Sequence, residues 1–143
     1  MRIIVIGEIC EDVFVYGESK RLSPEAPVPV FIPKYTTINN GMCGNVMENL
    51  KGLLPDADIN YVPQQAKITK TRYVDDKSNY MFLRVDSGEN DVSALKLNGY
   101  IKKLIEKSDI TIVSDYNKGF LTDDVLIEIG QLSKLSIIDS KRN

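Results

Sequence analysis

Three short apolar runs, separated by segments of helical periodicity, constrain the fold of this chain more than any other feature. The runs are RIIVIG from residue 2, ITIVSD from residue 110 and LSIID from residue 135. β-Branched residues dominate these runs, which is typical of strands that are buried in a parallel sheet. The runs alternate with predicted helices, and the order strand, helix, strand, helix, strand predicts an α/β fold with a parallel sheet.

The predicted helices are recognised by apolar residues at helical spacing. Val46, Leu50 and Leu53 share one face, and Pro55 with Asp56 follows as a stop signal. A second apolar stripe predicts a helix over residues 93–107. The stretch TDDVLIEIGQL predicts a third helix with Thr122 as its N-cap, because the Thr122 hydroxyl can accept a hydrogen bond from a first-turn N–H.

Other segments are predicted to be extended. Residues 12–16 and 27–38 have strand character, and Pro27, Pro29 and Pro33 confine the second of them to an edge or a projecting ribbon, because proline cannot donate a ladder hydrogen bond. The stretches KITKTRYV and NYMFLRVD flank DDKS and predict a β-hairpin.

Composition limits the class of protein. The chain has 143 residues, 43% hydrophobic and 27% charged, which fits a single folded domain or part of a larger one. A net charge of -2 gives no positive field to attract nucleic acid or anionic lipid. The apolar run IIVIG is too short for a signal-peptide core or a membrane span, so the sequence predicts a cytoplasmic protein.

The residue types available limit the chemistry. The sequence contains no histidine, which excludes Ser/His and Cys/His nucleophiles and the usual zinc sites, and no metal ligand set is predicted. Cys10 and Cys43 are expected to be two reduced, buried thiols. Any chemistry must therefore rest on carboxylates, lysines, arginines and backbone amides.

Candidate site residues follow the predicted strands, because ligands of such folds bind at the carboxyl ends of the strands. They lie in GEICED, NNGMCGN, SDYNKG and DSKRN. Asp12 and Asn45 have the acceptor and donor groups that hold sugar hydroxyls, but either could be a cap or a turn residue. Gly41 and Gly44 could allow close approach of a ligand or could simply shape a helix start. Asp115, Tyr116 and Lys118 could form an anion site or an ordinary turn.

A family resemblance decides between these alternatives. The stretches GEICEDVFVYG, RLSPEAPVPVF, NGMCGNV, TKTRYV, FLRVD, VSDYNKGFL and IIDSK occur in an order that resembles the first half of the PfkB or ribokinase-like carbohydrate kinases. Within that family the chain is most similar to the heptose 7-phosphate kinases that form the kinase part of ADP-heptose synthases. The string SPEAPVPV is the most specific match.

The resemblance implies a ribokinase-like parallel sheet with a small projecting β lid, formed from about residues 12–38 and 67–87, that closes over the sugar. Asp12, Gly41 and Asn45 would bind the sugar, and Arg72 and Arg84 would bind its phosphate, because guanidinium groups form paired hydrogen bonds with phosphate. On the side of the phosphate donor it implies Asp115, Lys118, Asp139 and Lys141. Further matches are Lys70, Asp86, Tyr116 and Gly119.

The sequence also departs from the family pattern. The family's paired glycines are Gly41 and Met42 here, and its Gly-Asp after the first strand is Gly7 with Glu8. About two dozen residues are expected to be missing between Leu54 and Lys67, where the family has a strand and a helix that help to frame the sugar pocket. The GxGD motif that carries the catalytic base in the family's second half does not occur in the sequence, and neither does a P-loop.

These observations lead to a sugar-phosphate kinase-like protein that is incomplete alone and contains no catalytic residue of its own. The family uses ATP and Mg²⁺, and the expected partners are a sugar phosphate, a second copy bound through the β lid, or a companion chain with the nucleotide-binding half. The alternatives are a non-catalytic sugar-phosphate binding module and a dimeric interaction module.

Overall fold

Residues 1–142 are described by the structure, a computed structural model, and they form two four-stranded sheets with three α-helices. In chain order the strands are β1 (Arg2–Gly7), β2 (Ile9–Leu22), β3 (Pro29–Met42), β4 (Asp58–Pro63), β5 (Thr69–Asp75), β6 (Met81–Ser87), β7 (Ile110–Asp115) and β8 (Ser136–Ser140). The helices are α1 (Cys43–Leu53), α2 (Gly99–Lys107) and α3 (Asp123–Leu132).

The first sheet has the strand order β4-β1-β7-β8, and all its strands are parallel. Alternate residues of β1 enter hydrophobic clusters on opposite faces. Ile4 and Ile6 pack with residues of α2 and α3, whereas Ile3 and Val5 pack against Cys43 and the apolar face of α1. The predicted α/β fold with a buried parallel strand is therefore confirmed.

Strand β8 differs from β1 because all five of its residues are exposed. Ile137 is 52% exposed and Ile138 is 49% exposed, and neighbouring residues of a strand point to opposite faces. The parallel sheet thus ends in a strand whose faces both carry exposed apolar side chains.

The second sheet has the strand order β3-β2-β5-β6 and mixed directions. β2 and β3 form a long antiparallel hairpin that reaches from Ile9 to Met42, β5 adds parallel to β2, and β6 completes an antiparallel hairpin with β5. The proline-containing strand β3 lies at the edge, as its missing N–H donors require. Both extended segments and the hairpin predicted from the sequence are confirmed.

Three details of the sequence prediction are wrong. The helix predicted over 93–107 begins only at Gly99, because the Asn98 side chain accepts hydrogen bonds from the N–H groups of Tyr100 and Ile101 and starts the helix there. Leu53 lies at the end of α1 and is 76% exposed, so it does not join the buried face. A strand does occupy the region between Leu54 and Lys67, since β4 pairs with β1.

The predicted Thr122 cap is present, and the Thr122 hydroxyl accepts a hydrogen bond from the Val125 N–H. Both thiols are free and buried, as expected. Within residues 1–142, none of the helices combines the length and the apolar character needed to cross a bilayer.

Candidate functional site

A polar cleft of about 490 Å³ lies where the second sheet meets the start of α1 and the end of β7. It contains three of the predicted sugar-binding residues, Asp12 from β2, Gly41 from β3 and Asn45 from α1. The other residues that line this candidate cleft are Phe14, Asn39, Asn40, Met42, Glu48 and Tyr116. The fold therefore brings together residues that are far apart in the sequence.

The Asp12 carboxylate lies directly against Gly41. A Cβ atom placed on Gly41 would lie 2.6 Å from Cys10 Sγ and 3.1 Å from Asp12 Cγ, and it would overlap Asp12 Oδ2. The other carboxylate oxygen, Oδ1, accepts a hydrogen bond of 2.6 Å from Arg72 Nη1. Gly41 is thus required by the position of Asp12, and Arg72 fixes that position from the neighbouring strand.

Met42, which follows Gly41 directly before α1, has a backbone conformation that favours glycine. Its φ of 55° and ψ of -131° lie outside the regions that side chains favour. The side chain is buried with Cys10 and Ile68 in a small hydrophobic cluster between the two sheets. A methionine therefore occupies a strained turn before α1, and the packing of its side chain stabilises that turn.

Arg84 lies beside Arg72, and neither arginine is among the residues that line the cleft, although Arg72 contacts it through Asp12. The two arginines are directly opposite each other in the β5–β6 register, where like charges repel. Each is paired with a carboxylate, because Arg84 forms two hydrogen bonds of 2.7 Å with Asp86 while Arg72 binds Asp12. Two guanidinium groups thus face the same side of the sheet next to the cleft.

The residues predicted for the phosphate-donor side meet around Tyr116. The Lys141 ammonium lies 4.4 Å from the centre of the Tyr116 ring, and Lys118 forms an ion pair of 2.7 Å with Glu89. Burial raises the pKa of Tyr116, and the negative charge of Asp139, which is exposed near the end of β8, raises it further.

Asp115 has a different environment because its carboxylate is buried and already saturated. It accepts hydrogen bonds from the Asn117 N–H at 2.9 Å, the Ser140 hydroxyl at 2.8 Å and Arg142 Nε at 2.6 Å. Burial opposes its ionisation, but these hydrogen bonds prevail and lower the pKa of Asp115. The carboxylate joins the ends of β7 and β8, and its role at a phosphate-donor site stays a prediction.

Sequence reasoning missed four residues around the cleft. Glu8 is fully buried at the end of β1, and Gln64 bonds both the N–H and the carbonyl of Ile9 at 2.7 Å. Glu89 lies between Lys118 and Lys70, and Arg142 binds Asp115. Glu8 and Arg142 lie in the candidate stretches GEICED and DSKRN, whereas Gln64 and Glu89 gave no signal in the sequence.

The opposite face of the second sheet carries an apolar groove of about 490 Å³. The residues that line it are Val28, Pro29, Phe31, Pro33, Tyr73, Phe82 and Leu83. Phe31 contacts both Tyr73 and Phe82 edge to face, with ring centres 5.5 and 5.6 Å apart. Part of the conspicuous SPEAPVPV string therefore forms the wall of an aromatic groove.

Comparison with known proteins first defines the class. No protein-family model matches the sequence. Among solved structures, the chain is similar to Arabidopsis thaliana ribokinase complexed with ribose and ATP, with a TM-score of 0.55, 10% identity and coverage of 99% of this chain and 54% of the ribokinase. Phosphofructokinase-2 from Escherichia coli in complex with potassium gives a TM-score of 0.55 at 10% identity and covers 98% of this chain and 53% of that chain. The fold is that of the ribokinase-like carbohydrate kinases.

Curated relatives then give the particular resemblance. Bifunctional protein HldE of Rhodopseudomonas palustris strain BisB5 is 28% identical over 175 residues, which cover 97% of this chain and 36% of the relative. HldE of Bradyrhizobium diazoefficiens is 32% identical over 174 residues, with 97% and 35% coverage. The suspected similarity to a ribokinase-like half of HldE is confirmed.

The chain spans about a third of the length of these curated relatives and about half of the solved kinases. Because the 175 aligned positions exceed the 143 residues of the chain, the relative also has segments without a counterpart here.

Proposed function

We propose that this chain is the sugar-binding half of a sugar-phosphate kinase, with heptose 7-phosphate as its ligand. The observation that carries the proposal is the meeting of Asp12, Gly41 and Asn45 in one cleft, with Arg72 bound to the Asp12 carboxylate. The similarity to HldE over nearly the whole chain supports the choice of sugar.

The chemistry of the cleft suits a polyhydroxylated ligand. The Asp12 carboxylate can accept hydrogen bonds from hydroxyl groups, and the Asn45 amide can both donate and accept. Asn45 is exposed in the first turn of α1, where a sugar can reach it. Gly41 keeps a side chain out of the space that the Asp12 carboxylate occupies.

The arginine pair on the second sheet is proposed to bind the phosphate group. The hydrogen bonds that Arg72 donates within residues 1–142 both come from Nη1, so Nε and Nη2 can donate to an anion. Arg84 can exchange its bidentate contact with Asp86 for one with phosphate. The second sheet would then act as the lid of the site.

Phosphoryl transfer from ATP with Mg²⁺ is proposed to need the other half of the fold. The exposed strand β8 is the place where that half would continue the sheet, because parallel sheets are normally covered on both faces. A companion chain or further residues of the same polypeptide would supply the nucleotide site and the catalytic base. Here Asp139 and Lys141 would lie near the phosphate donor.

A symmetric dimer through the second sheet is also proposed. The aromatic groove exposes Leu83, which is 55% exposed, beside Phe31 and Phe82. An exposed apolar patch of this kind commonly marks a protein interface.

A second candidate function is a non-catalytic module that binds a sugar phosphate or mediates dimerisation, and the exposed aromatic groove of the second sheet favours it. Both candidates require the same cleft to bind the sugar phosphate, and they differ in whether a nucleotide-binding half exists. A companion chain that restores phosphoryl transfer would support the kinase. If no such chain restores it, the result would support the non-catalytic module.

Isothermal calorimetry with heptose 7-phosphate and with ATP, each titrated separately, tests the proposal. We expect the sugar phosphate to bind, and ATP to bind no tighter than about millimolar, the affinity expected from a few exposed basic contacts. Asp12→Ala should weaken sugar-phosphate binding, and Asp124→Ala, which removes an exposed carboxylate from α3, should not. Micromolar binding of ATP, or equal effects of the two variants, would contradict the proposal.

A further inference from the structure

The Glu8 carboxylate is fully buried at the carboxyl end of β1, and its hydrogen-bond partners are all main-chain N–H groups of one loop. Oε2 accepts from Tyr116 at 2.9 Å, and Oε1 accepts from Lys118 at 3.1 Å and from Phe120 at 3.3 Å. These donors are more than a hundred residues away in sequence. Among residues 1–142 this buried carboxylate forms no salt bridge, and its hydrogen bonds organise the loop after β7.

The loop has the backbone geometry of an anion-binding site. Asn117 has a φ of 56° and Gly119 a φ of 93°, and such residues turn successive N–H groups toward a common point. Loops of this type often hold phosphate or other free anions. Here the converging N–H groups of Tyr116, Lys118 and Phe120 are occupied by the chain's own carboxylate.

The loop carries one side chain of the candidate cleft and one that contacts the segment after β6 of the second sheet. Tyr116 lines the candidate cleft and lies under the Lys141 ammonium. Lys118 reaches Glu89, which follows the last strand of the second sheet, and so links the body of the protein to that sheet. A displacement of the loop would move both side chains relative to Asp12 and Asn45.

We propose that Glu8 is a positioning residue: its carboxylate is the built-in anion of the 116–120 loop, which holds Tyr116 in the candidate cleft and Lys118 in its ion pair with Glu89. The negative charge and both oxygens are required, because three donors converge from two sides. A glutamine of the same shape would present an NH₂ group to at least one of these donors. The occupied loop is consequently closed to a nucleotide phosphate. This role holds whatever ligand the cleft binds.

Chemical rescue of Glu8→Ala by acetate tests the proposal directly, because acetate has the atoms that the substitution removes. Amide hydrogen exchange, followed by NMR, is measured residue by residue in the full chain with acetate and with chloride at equal ionic strength. We expect exchange at Tyr116, Lys118 and Phe120 to accelerate on the order of 10- to 100-fold, as for lost hydrogen bonds to a charged group. Acetate, and not chloride, should reverse this acceleration.

The control is Glu11→Ala, which removes a partly exposed carboxylate paired with Lys67 at 3.0 Å and should leave the loop amides unchanged. Equal acceleration at Val113 in β7, no acceleration at all, or acceleration without an acetate response would overturn the proposal.

Glu8→Gln provides the test if Glu8→Ala does not fold. Its expected signature is faster exchange on one side of the carboxylate site, at Tyr116 or at the Lys118 and Phe120 pair, together with shifted ring resonances of Tyr116. Glu11→Gln should not shift those resonances. Unchanged Tyr116 resonances in Glu8→Gln would also overturn the proposal.

Discussion

Replacement of Gly41 by alanine tests the geometry at the centre of the candidate site. The added methyl group would overlap Asp12 Oδ2 and lie 2.6 Å from Cys10 Sγ, so the Asp12 side chain must move away from β3. That movement breaks the hydrogen bond with Arg72, which contributes about 1.5 to 3 kcal/mol as an interaction between charged groups. Crowding of a packed site costs about 1 to 3 kcal/mol more, so Gly41→Ala should lower the free energy of unfolding by at least ~2 kcal/mol.

The assay is urea unfolding followed by circular dichroism, with Gly130→Ala as the matched control. Gly130 lies inside α3, and a Cβ atom there meets no other atom within 4 Å. Alanine in a helix interior is more favourable than glycine by about 0.5 to 1 kcal/mol, so the control should gain stability. The two Gly→Ala changes should therefore have opposite signs.

A double-mutant cycle with Asp12→Ala assigns the effect to the carboxylate. If Asp12 causes the clash, Gly41→Ala should cost less in the Asp12→Ala background than in the wild-type chain. A loss of similar size in both backgrounds, or a Gly41→Ala variant as stable as the Gly130→Ala variant, would refute the reasoning.

Three further predictions concern acid stability, thiol reactivity and assembly. Burial opposes the ionisation of Asp115, yet hydrogen bonds from Arg142 and two other donors hold its pKa below the ordinary value. The ionised carboxylate therefore stabilises the fold at pH values above its unfolded pKa, and this stabilisation is lost as pH falls through the folded pKa. Arg142→Gln should consequently flatten the loss of stability between neutral and acidic pH in urea unfolding, and an unchanged pH profile would contradict this. Burial, assisted by the Glu8 charge, raises the pKa of Cys43 to about 12, and burial also raises the pKa of Cys10. Both thiols should therefore be alkylated far more slowly in the folded than in the unfolded protein, and mass spectrometry can measure the difference. Leu83→Glu places a charge on the aromatic groove and should convert a dimer into a monomer in light scattering, and a wild-type chain that is already monomeric at high micromolar concentration would count against the interface.

The sequence predicts the fold well where a pattern has one physical cause. The run RIIVIG becomes a strand buried on both faces, and the prolines of β3 confine it to an edge, because burial and the missing N–H each permit one arrangement. The predicted start of α2 is too early because Leu97 continues the helical spacing of Ile101 and Leu104 but packs against the core from a non-helical segment before Gly99. Strand β4 lacked a sequence signal because its stretch DINYVP contains Asp, Asn and Pro, which are uncommon in strands.

The candidate site is predicted only in part. The resemblance identified Asp12, Gly41 and Asn45, which the fold brings together, but periodicity alone could not have paired residues from β2, β3 and α1. The sequence assigned no role to Glu8 or Arg142 because their roles depend on tertiary contacts with other elements. The partners of Glu8 lie more than a hundred positions away in the sequence, and Arg142 binds Asp115 from beyond the end of β8.

The most direct test of the central claim is a calorimetric comparison of heptose 7-phosphate with the unphosphorylated heptose in the wild-type chain, Asp12→Ala and Arg84→Ala. The account predicts that Asp12→Ala weakens binding of both ligands by about 1.5 to 3 kcal/mol, because the carboxylate holds hydroxyl groups that both ligands carry. Arg84→Ala should weaken binding of the phosphorylated sugar alone, because the guanidinium contacts the phosphate. Equal affinities for both ligands in all three proteins, or no binding of heptose 7-phosphate to the wild-type chain, would contradict the account.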